Sequence, residues 1–373
     1  MRDITLLLLA AGESSRFRVN VKKQWLRVGE KPLWMFLADR FQSTNLFKKI
    51  IIASHPDEVQ FVTPISDYSV VSGGKTRQES LKNALECVET THIMVSDIAR
   101  CCISNNLLEN LISNIDKADV IVPALDIVDT VVYHNETITR EETKRIQTPQ
   151  LSKTEILRKA LDTDIEYTDE SSAIVAYGGS RFFIAGEEDA KKVTFAKDIA
   201  TIKCLEAPSN TILVGNGFDV HAFQESKPMA LCGVEIDSPV GFRAHSDGDV
   251  ALHALIDAIL GAAALGDIGS LFPDSDDNYK DIDSKILLDR CVKLIHNMGF
   301  VINNLDITII AQTPKIAPYK DKMRQVVSEI TQTPKHLINI KGTTTENLGF
   351  VGRKEGVAVM ATATLKYYDW KQQ

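Results

Sequence analysis

Three residues in the second half of the sequence have the types and the spacing of a metal site. Asp219 and His221 stand two residues apart, so an extended chain projects both side chains to the same side. Asp249 has the residue type of a helix N-cap, and His253 lies one turn into the helix that would follow. One carboxylate and two imidazoles fill three corners of a zinc tetrahedron and leave the fourth open for substrate. The alternative is that His253 packs in the core while Asp219 and His221 share a surface hydrogen bond.

A second candidate site lies near the start of the chain. The apolar run Ile4–Ala10 leads into Ala11 and Gly12, whose small side chains let backbone N–H groups approach an anion. Arg16 then offers a guanidinium suited to phosphate oxygens, and Lys23 adds a second cation. The alternative is an ordinary turn between strand and helix with solvated basic residues.

Two other interpretations of these segments fit less well. A secretory signal needs a basic segment before its apolar run and a small-residue cleavage site after it, but Arg2 is offset by Asp3 and the run ends in polar residues. Gly74-Lys75-Thr76 resembles the end of a P-loop, but Ser69 stands where that motif requires glycine. We therefore expect a buried strand that leads into a phosphate-binding loop.

The elements that would position the first site alternate along the chain. Apolar strand-like runs and amphipathic helical stretches follow one another up to about residue 122, which predicts a Rossmann-like, mostly parallel sheet with crossover helices. Residues 124–147 depart from this pattern, because Thr130–Tyr133 and Thr137–Thr139 flank His134-Asn135-Glu136 as in a β-hairpin. We expect this β-arm to lie outside the main sheet and to form a dimer contact.

The pattern pauses at Glu206–Asn210 and then resumes with a strand at Thr211–Val214. We place a domain boundary there, with one domain at 1–208 and another at 209–373. Downstream, the pattern predicts an α+β domain of sheet and helix layers. Its expected helices are about 247–265, 284–298 and 319–331, and its expected strands are 305–311, 337–341 and 357–365.

Composition limits the class of protein. The 373 residues exceed what one hydrophobic core usually organises, so two domains are expected. The formal net charge of −8 argues against a nucleic-acid partner, and no run is long enough for a membrane span. The six cysteines show no C-x-x-C spacing and are expected to be reduced, mostly packed thiols of a cytoplasmic protein, with oxidation to be checked at adjacent Cys101 and Cys102.

Several motifs of the first half occur in the order of a known family. LLLAAGESSRF, Lys23-Gln24, Gly73-Gly74 with Arg77 and Ser80, Asp97–Arg100, Asp129-Thr130, Thr148–Gln150 and Thr168–Glu170 together resemble 2-C-methyl-D-erythritol 4-phosphate cytidylyltransferase over about 205 residues. The resemblance implies that methylerythritol phosphate attacks the α-phosphate of CTP and that pyrophosphate leaves, with Mg²⁺ or Mn²⁺ on the nucleotide. Cations would then carry most of the chemistry.

The resemblance also implies roles for single residues. Arg16 and Lys23 match transition-state stabilisers, and Arg140 and Lys192 match the pair that holds the incoming phosphate, although Arg140 could also be a solvated residue of the arm. Asp97 matches a position near the magnesium-bound triphosphate. The remaining substrate-binding positions are Ala10, Ala11, Gly12, Gly74, Ser80, Arg100 and Thr130. The sequence departs from the family pattern at Ser14, Lys22, Lys75 and Cys101.

The second half resembles another family. GFDVHAF, AHSDGDVALHALIDAILGAAALGDIGSLFPD, ITIIAQTPKIAP and KGTTTENLGFVGR are similar to 2-C-methyl-D-erythritol 2,4-cyclodiphosphate synthase across residues 211–366. The implied reaction is ring closure: the 2-phosphate of a cytidine-diphosphate methylerythritol attacks the β-phosphate and CMP leaves. Zinc would act as a Lewis acid and template, so that ring closure becomes a problem of positioning.

By this resemblance, Asp219, His221 and His253 are the zinc ligands and Glu346 binds a second divalent cation. His245 and Thr344 would steady the transition state, although Thr343–Thr345 could simply reflect the β-propensity of an edge strand. The substrate-binding positions are Ser246, Asp267, Ile268, Gly269, Phe272, Gln312, Lys315, Ala317, Thr343, Thr345, Phe350 and Arg353.

The sequence therefore predicts a bifunctional cytoplasmic enzyme of the non-mevalonate isoprenoid pathway. Its two reactions are not consecutive, because a separate ATP-dependent kinase must act between them, and association with that kinase is a further expectation. Since the synthase family forms trimers and the cytidylyltransferase family dimers, we expect a homo-oligomer that combines both contacts. Two alternatives are a sugar-phosphate nucleotidyltransferase as the first half, and a zinc-stabilised assembly module without chemistry as the second.

Overall fold

The computed structural model describes residues 2–199, 202–225, 227–244, 246–273, 275–276, 279 and 282–372. Predicted site residue His245 lies outside the described residues. The chain splits into two compact units, Met1–Pro208 with Asp369–Gln373, and Ser209–Tyr368.

The described part of the first unit contains twelve strands, eight of which form one sheet. Its strands are β1 (Ile4–Ala10), β2 (Arg27–Val28), β3 (Lys31–Pro32), β4 (Lys49–Ser54), β5 (Ser69–Ser72), β6 (His92–Asp97), β7 (Val120–Asp126), β8 (Val131–Tyr133), β9 (Glu136–Ile138), β10 (Lys144–Ile146), β11 (Gln150–Lys153) and β12 (Arg181–Ala185). Its helices are α1 (Leu33–Ser43), α2 (Val59–Val62), α3 (Arg77–Leu85), α4 (Asn105–Ser113), α5 (Thr154–Leu161), α6 (Glu170–Ala176) and α7 (Ala196–Ile199).

Strand β1 lies in the middle of this sheet, whose order is β10-β7-β11-β6-β1-β4-β5 with β12 beside β7. β1 is parallel to both of its neighbours, whereas β10 and β11 run antiparallel to theirs. All seven residues of β1 are buried, as expected of a strand covered on both faces. This confirms the predicted Rossmann-like, mostly parallel sheet, and it rules out a solvent-exposed role for the first apolar run.

The β-arm is confirmed as a hairpin. β8 and β9 pair only with each other, in antiparallel register. The turn between them places His134 and Asn135 at φ values of 49° and 64°, the left-handed conformation that a tight hairpin turn requires. Val132 and Tyr133 on the arm are 59% and 65% exposed.

The second unit contains a five-stranded sheet of order β16-β13-β19-β17-β18 and the helices that pack on it. Its strands are β13 (Leu213–Glu225), β14 (Met229–Leu231), β15 (Val234–Ile236), β16 (Val240–Phe242), β17 (Phe300–Ile310), β18 (Ile338–Thr343) and β19 (Gly356–Tyr367). Its helices are α8 (Val250–Ala263), α9 (Ile268–Leu271), α10 (Ser284–Asn297), α11 (Lys320–Thr331) and α12 (Gly349–Gly352). The predicted α+β layers are confirmed, although the first strand is much longer than Thr211–Val214.

Helix α8 lies unusually close to β13, and two glycines permit this approach. A Cβ on Gly217 would lie 1.9 Å from the carbonyl oxygen of Ala254, and one on Gly215 would lie 2.2 Å from that of Ala258. Any side chain at these positions would push the helix away from the strand. The glycines therefore set the distance between the element that carries Asp219 and the element that carries His253.

Two expectations were wrong. The sequence placed residues 369–373 in the second domain, but they group with the first unit because the indole of Trp370 is buried there and donates to the carbonyl oxygen of Arg27 at 2.7 Å. The cysteines were expected to be reduced, but Cys102 and Cys204 form a disulfide with Cα atoms 5.7 Å apart. They are 102 residues apart in sequence, so spacing gave no signal. Of the other cysteines, Cys101, Cys232 and Cys291 are buried, as predicted, and Cys87 is exposed.

Candidate active sites

The predicted metal ligands come together in the second unit. Asp219 and His221 project from the same face of β13, and His253 projects toward them from α8. One carboxylate oxygen of Asp219 lies 3.2 Å from Nε2 of His221 and 3.4 Å from Nδ1 of His253. The three candidate ligand atoms lie within 4.8 Å of one another, close enough to share one ion. The alternative of His253 as a packed core residue does not fit this geometry.

In each histidine, the ring nitrogen that faces away from Asp219 has a hydrogen-bond partner of its own. Nδ1 of His221 lies 2.9 Å from the carbonyl oxygen of Gly248, which leaves Nε2 facing Asp219. Nε2 of His253 lies 2.9 Å from Oγ of Ser284, which leaves Nδ1 facing Asp219. Such partners fix the orientation and tautomer of a metal-binding imidazole. The donor set therefore fits a zinc-type ion with three protein ligands.

The protonation state of Asp219 also fits a cation site. Burial alone would raise the pKa of Asp219, but hydrogen bonds and charge from His221 and His253 hold that pKa well below its ordinary value. Burial alone would lower the pKa of His221, but the Asp219 carboxylate raises it. An ionised Asp219 is the form that binds a cation.

A cavity of about 330 Å³ opens beside these three residues. Four predicted substrate residues, Ser246, Ile268, Gly269 and Phe272, line it. Asp257 lines it too, although the sequence did not single this residue out. Its Oδ1 accepts a hydrogen bond from the backbone N–H of Ile268 at 2.8 Å, so it connects α8 to the loop that also carries Asp267. Asp257 follows His253 by four residues, a spacing that places two side chains on the same face of a helix. This spacing was the signal that the sequence contained.

The other predicted residues of the second domain gather at the carboxyl ends of β17 and β18. These strands are parallel, and Ala311 N donates to Thr343 O at 2.9 Å, so the segment that begins at Gln312 adjoins the threonine segment. Lys315 and Ala317 are exposed there, and Thr345 is half-buried. Thr344 donates to Glu346 at 2.7 Å, Phe350 is 37% exposed, and Arg353 pairs with Glu355 at 2.8 Å.

This second group lies apart from the metal ligands within one copy. In the sheet, β19 and β17 stand between β13 and β18. Three interstrand steps amount to about 14 Å. None of the described residues from Gln312 to Arg353 lines the cavity beside the metal ligands. The two groups of predicted residues are therefore separate within one copy of the domain.

In the first unit, the candidate phosphate loop follows β1. Ser14 adopts the left-handed conformation at φ 55°, and its Oγ accepts a hydrogen bond from the backbone N–H of Lys23 at 3.0 Å. Arg16 lies in the short 3₁₀ turn that follows and is exposed. The Lys23 ammonium is half-buried and donates to the carbonyl oxygen of Val193 at 3.2 Å. The loop and the lysine segment are thus joined directly.

The charges of this site are close to one another. Burial lowers the pKa of Lys23, and the nearby cations Lys192 and Arg16 lower it further. Lys192 contacts Asp97 at 2.7 Å, and Arg77 contacts the other oxygen of Asp97 at 3.0 Å. Although burial alone would raise the pKa of Asp97, these ion pairs hold it well below its ordinary value. The structure therefore brings predicted residues Arg16, Lys23, Lys192 and Asp97 into one electrostatic cluster.

The segment of Gly73 and Gly74 packs against Ala11 of the loop and is held by Ser80. A Cβ on Gly73 would lie 2.5 Å from the Cβ of Ala11, so glycine is required for this close packing. Gly74 N donates to Oγ of Ser80 at 3.0 Å, and Ser80 lies in the first turn of α3, four residues after the cap residue Thr76. Ala10 is buried and Gly12 is exposed.

Two predicted arginines bond elsewhere in the unit, and predicted residue Thr130 is exposed. Arg100 donates to the carbonyl oxygen of Ala190 at 2.7 Å. Arg140 bonds within the arm, to Val128 O at 3.2 Å and to Glu141 at 3.1 Å, and Thr130 is exposed on the same arm. Arg77 was quoted in the family motif but not assigned to the site, yet it pairs with Asp97 and with fully buried Glu170 at 2.6 Å.

The fold and the two candidate sites define a class of protein: an α/β domain with a cluster of cationic side chains beside a glycine loop, joined to an α+β domain with three residues that could hold a metal ion. Family profiles agree with this class. The profile described as 2-C-methyl-D-erythritol 4-phosphate cytidylyltransferase matches residues 4–205, and that of the YgbB family matches residues 212–366. The chain belongs to the bifunctional IspD/IspF family.

Relatives match along the whole chain. The "Bifunctional enzyme IspD/IspF" of Sulfurimonas denitrificans is 56% identical, with 99% of this chain and 96% of that protein covered. The protein of the same name from Nitratiruptor sp. is 54% identical, with 100% of both chains covered. The structure described as bifunctional IspDF from Campylobacter jejuni has a TM-score of 0.92 and 48% identity, over 98% of this chain and 99% of that one.

The chain is therefore an enzyme of the non-mevalonate pathway with two activities, a cytidylyltransferase and a cyclodiphosphate synthase. This sets aside the alternative in which the second half is an assembly module without chemistry. Within the described part of the chain, every helix is too short or too polar to cross a membrane.

Proposed function

We propose that the first domain joins CTP to 2-C-methyl-D-erythritol 4-phosphate through the cluster of Arg16, Lys23, Lys192 and Asp97. Arg16 and Lys23 would neutralise the charge that develops on the α-phosphate as pyrophosphate leaves. Burial lowers the pKa of Lys23, and Lys192 and Arg16 lower it further; their contribution supports this role, because cations near Lys23 would together attract an anion. The backbone at Ala10, Ala11, Gly12 and Gly74, with Ser80, would hold the nucleotide.

The methylerythritol phosphate would be held by Lys192 and by Arg140 of the arm. Arg140 is exposed, and it contacts Glu141 and the carbonyl oxygen of Val128 on the arm. An exposed ion pair contributes little stability, so a phosphate can replace the contact with Glu141. Asp97 is the carboxylate suited to Mg²⁺ or Mn²⁺ on the triphosphate. Arg100 and Thr130 would contact substrate at the edge of this site.

In the second domain, we propose that Asp219, His221 and His253 hold zinc or a similar ion, which supplies Lewis acidity at a phosphate when bound. Asp267, Ile268 and Gly269 would contact the erythritol hydroxyls, Ser246 would contact a phosphate, and Phe272 would contact the substrate in the 330 Å³ cavity that Ser246, Ile268, Gly269 and Phe272 line. The remaining predicted residues would act on the cytidine diphosphate part and on a second cation: His245, Gln312, Lys315, Ala317, Thr343, Thr344, Thr345, Glu346, Phe350 and Arg353.

We propose that this synthase site is completed between copies of the chain. Within one copy, two strands separate β13, which carries Asp219 and His221, from β18, which leads to Thr344. A trimer would bring the metal ligands of one copy beside the Thr344 segment of a neighbouring copy. The sheet face opposite α8 supports this contact, because Val214, Phe218 and Met360 are 59%, 59% and 53% exposed there. We call these three residues the outer face. The exposed apolar arm of the first domain would supply the dimer contact.

The observation that carries the proposal is the metal triad beside the cavity, and paired product assays on the intact chain test it. Pyrophosphate release from CTP and CMP release from the cytidine-diphosphate substrate are measured on the same preparation. Lys23→Ala should abolish only the first activity, and Asp219→Asn only the second. Loss of both activities in either variant, or of neither, would contradict the assignment.

We place the enzyme in the cytoplasm, where CTP and the phosphorylated intermediates are made. The intervening phosphorylation would come from a separate kinase that associates with the oligomer. Co-sedimentation of the two purified enzymes tests that association.

A further inference from the structure

One buried carboxylate in the first domain holds the segment around Lys23. Glu58 is 5% exposed and ends a short 3₁₀ turn after β4. Its Oε1 contacts the Lys22 ammonium at 2.8 Å. Its Oε2 accepts hydrogen bonds from Gln24 Nε2 at 3.1 Å and from Trp25 Nε1 at 2.8 Å. Glu58 thus fixes the three side chains that flank Lys23 and leaves Lys23 itself to face the site.

The same segment is tied to the phosphate loop on its other side. Gln24 Nε2 also donates to the carbonyl oxygen of Gly12 at 3.2 Å. Lys22 also contacts Glu13 at 2.9 Å, and Lys23 N donates to Ser14. Three consecutive residues of the loop are therefore held by three consecutive residues of the segment. This arrangement gives a structural use to Lys22 and Ser14, two positions where the sequence departs from its family pattern.

We propose that Glu58 and Lys22 are positioning residues for cytidylyl transfer, which fix the separation between the Gly12 loop and the Lys23 ammonium. This inference depends on the proposed role of Lys23. The pair suits the task because the side chains of Lys22 and Glu58 are only 13% and 7% exposed, so water cannot easily replace either partner. A displacement of about 1 Å in a reacting group can cost about a hundredfold in rate.

The test uses steady-state pyrophosphate release by the full chain, with CTP varied. Lys22→Met leaves the buried Glu58 carboxylate without its ion partner, and Glu58→Gln removes the buried partner of Lys22, which keeps only the exposed Glu13. We expect each to lower kcat by about 10- to 100-fold while KM for CTP changes by less than about threefold. The double variant leaves no lone charge, so its kcat should recover to within about fivefold of the wild type.

Control variants distinguish a failure of this inference from a failure of the proposed role of Lys23. Lys153→Met breaks the 3.0 Å ion pair with Asp119 at the opposite end of the same sheet and should leave kcat within about twofold. CMP release by the same preparations shows that the chain is folded and active in its second domain. If Lys23→Ala keeps its activity, the role of Lys23 is wrong. If Lys23→Ala loses activity but Glu58→Gln does not, only the present inference fails.

If a single variant does not fold, the double variant decides the question. A kcat near the wild-type value supports positioning through the charge pair. A loss as large as the product of the single losses, or a change in KM rather than kcat, would overturn it.

Discussion

Ser284 lies against His253, one of the three proposed metal ligands: its Oγ is 2.9 Å from Nε2 of the imidazole. The same hydroxyl donates to Asp247, and Ser284 N donates to the other Asp247 oxygen at 3.1 Å. Ser284 is fully buried at the start of α10. A chain of contacts from carboxylate to hydroxyl to imidazole thus sets the orientation of one metal ligand.

Ser284→Ala should lower the zinc affinity of the second domain by about 10- to 100-fold, as loss of such outer partners does at other metal sites. Competition with a coloured zinc chelator measures the change. Ser284→Thr keeps the hydroxyl and should recover most of the affinity. Ser328→Ala removes a hydroxyl on α11 that bonds only to Thr333 O and serves as the control.

Removal of the metal should separate the two activities. Asp219 is the carboxylate shared by both histidines, so Asp219→Asn should lower CMP release by more than about a hundredfold. Pyrophosphate release from CTP should stay unchanged, because its residues lie in the other domain. A zinc-selective chelator, with Mg²⁺ in excess, should reproduce this result on the wild-type enzyme. Equal loss of both activities would argue against a metal role confined to the triad.

The ion pairs of Asp97 should make the first domain sensitive to acid. The folded pKa of Asp97 lies below its unfolded value of about 3.9, so its carboxylate adds stability above that pH. The contribution is lost as the pH falls through the lowered folded pKa. Unfolding in urea can be followed by tryptophan fluorescence, since Trp25, Trp34 and Trp370 all belong to the first unit.

The comparison is with Asp97→Asn, which cannot titrate. The difference in unfolding free energy between wild type and variant should be constant near pH 6 and shrink as the pH falls from about 4. A difference that does not change with pH would show that the carboxylate is not held ionised by Arg77 and Lys192.

The Cys102–Cys204 disulfide closes a loop of 102 residues by sequence separation. A cross-link of this length restricts the unfolded chain, so Cys204→Ser should lower the unfolding free energy of the first domain by about 2–5 kcal/mol. The effect should vanish when both proteins are measured in a reducing buffer. Cys87→Ser replaces an exposed free cysteine and should change little in either buffer.

Disruption of the outer face should dissociate one contact of the oligomer. Phe218 lies opposite Met360 in the sheet register, and both are exposed in the single chain. Phe218→Asp should reduce the mass measured by sedimentation and lower CMP release by more than about tenfold. Ile286→Asp, at an exposed position of α10, should change neither. A Phe218→Asp enzyme with unchanged mass and activity would contradict a site shared between copies.

Periodicity predicted the features that depend on local structure. The alternation of side chains along a strand placed Asp219 beside His221, and the acidic cap before α8 placed His253 one turn into its helix. The hairpin arm followed from its turn residues in the same way. These signals work because each lies within a few residues of chain.

Contacts between distant segments left no such signal. Ser284 is 31 residues from His253, Gln24 is 34 from Glu58, and the disulfide joins residues 102 apart. A serine at a helix start or a glutamate after a strand predicts local structure only, and its partner depends on how the elements pack. The family resemblance predicted which residues touch substrate, but it gave no prediction of the residues that hold them in place.

Trp370 has a consequence for how the polypeptide is made. Its indole fills a place beside Arg27 in the first unit, yet it is synthesised after the entire second unit. While the ribosome is still translating, the amino-terminal enzyme lacks one of its largest interior side chains. Deletion of the carboxyl-terminal residues, or fusion of another protein to them, should therefore lower the stability of the first unit before that of the second.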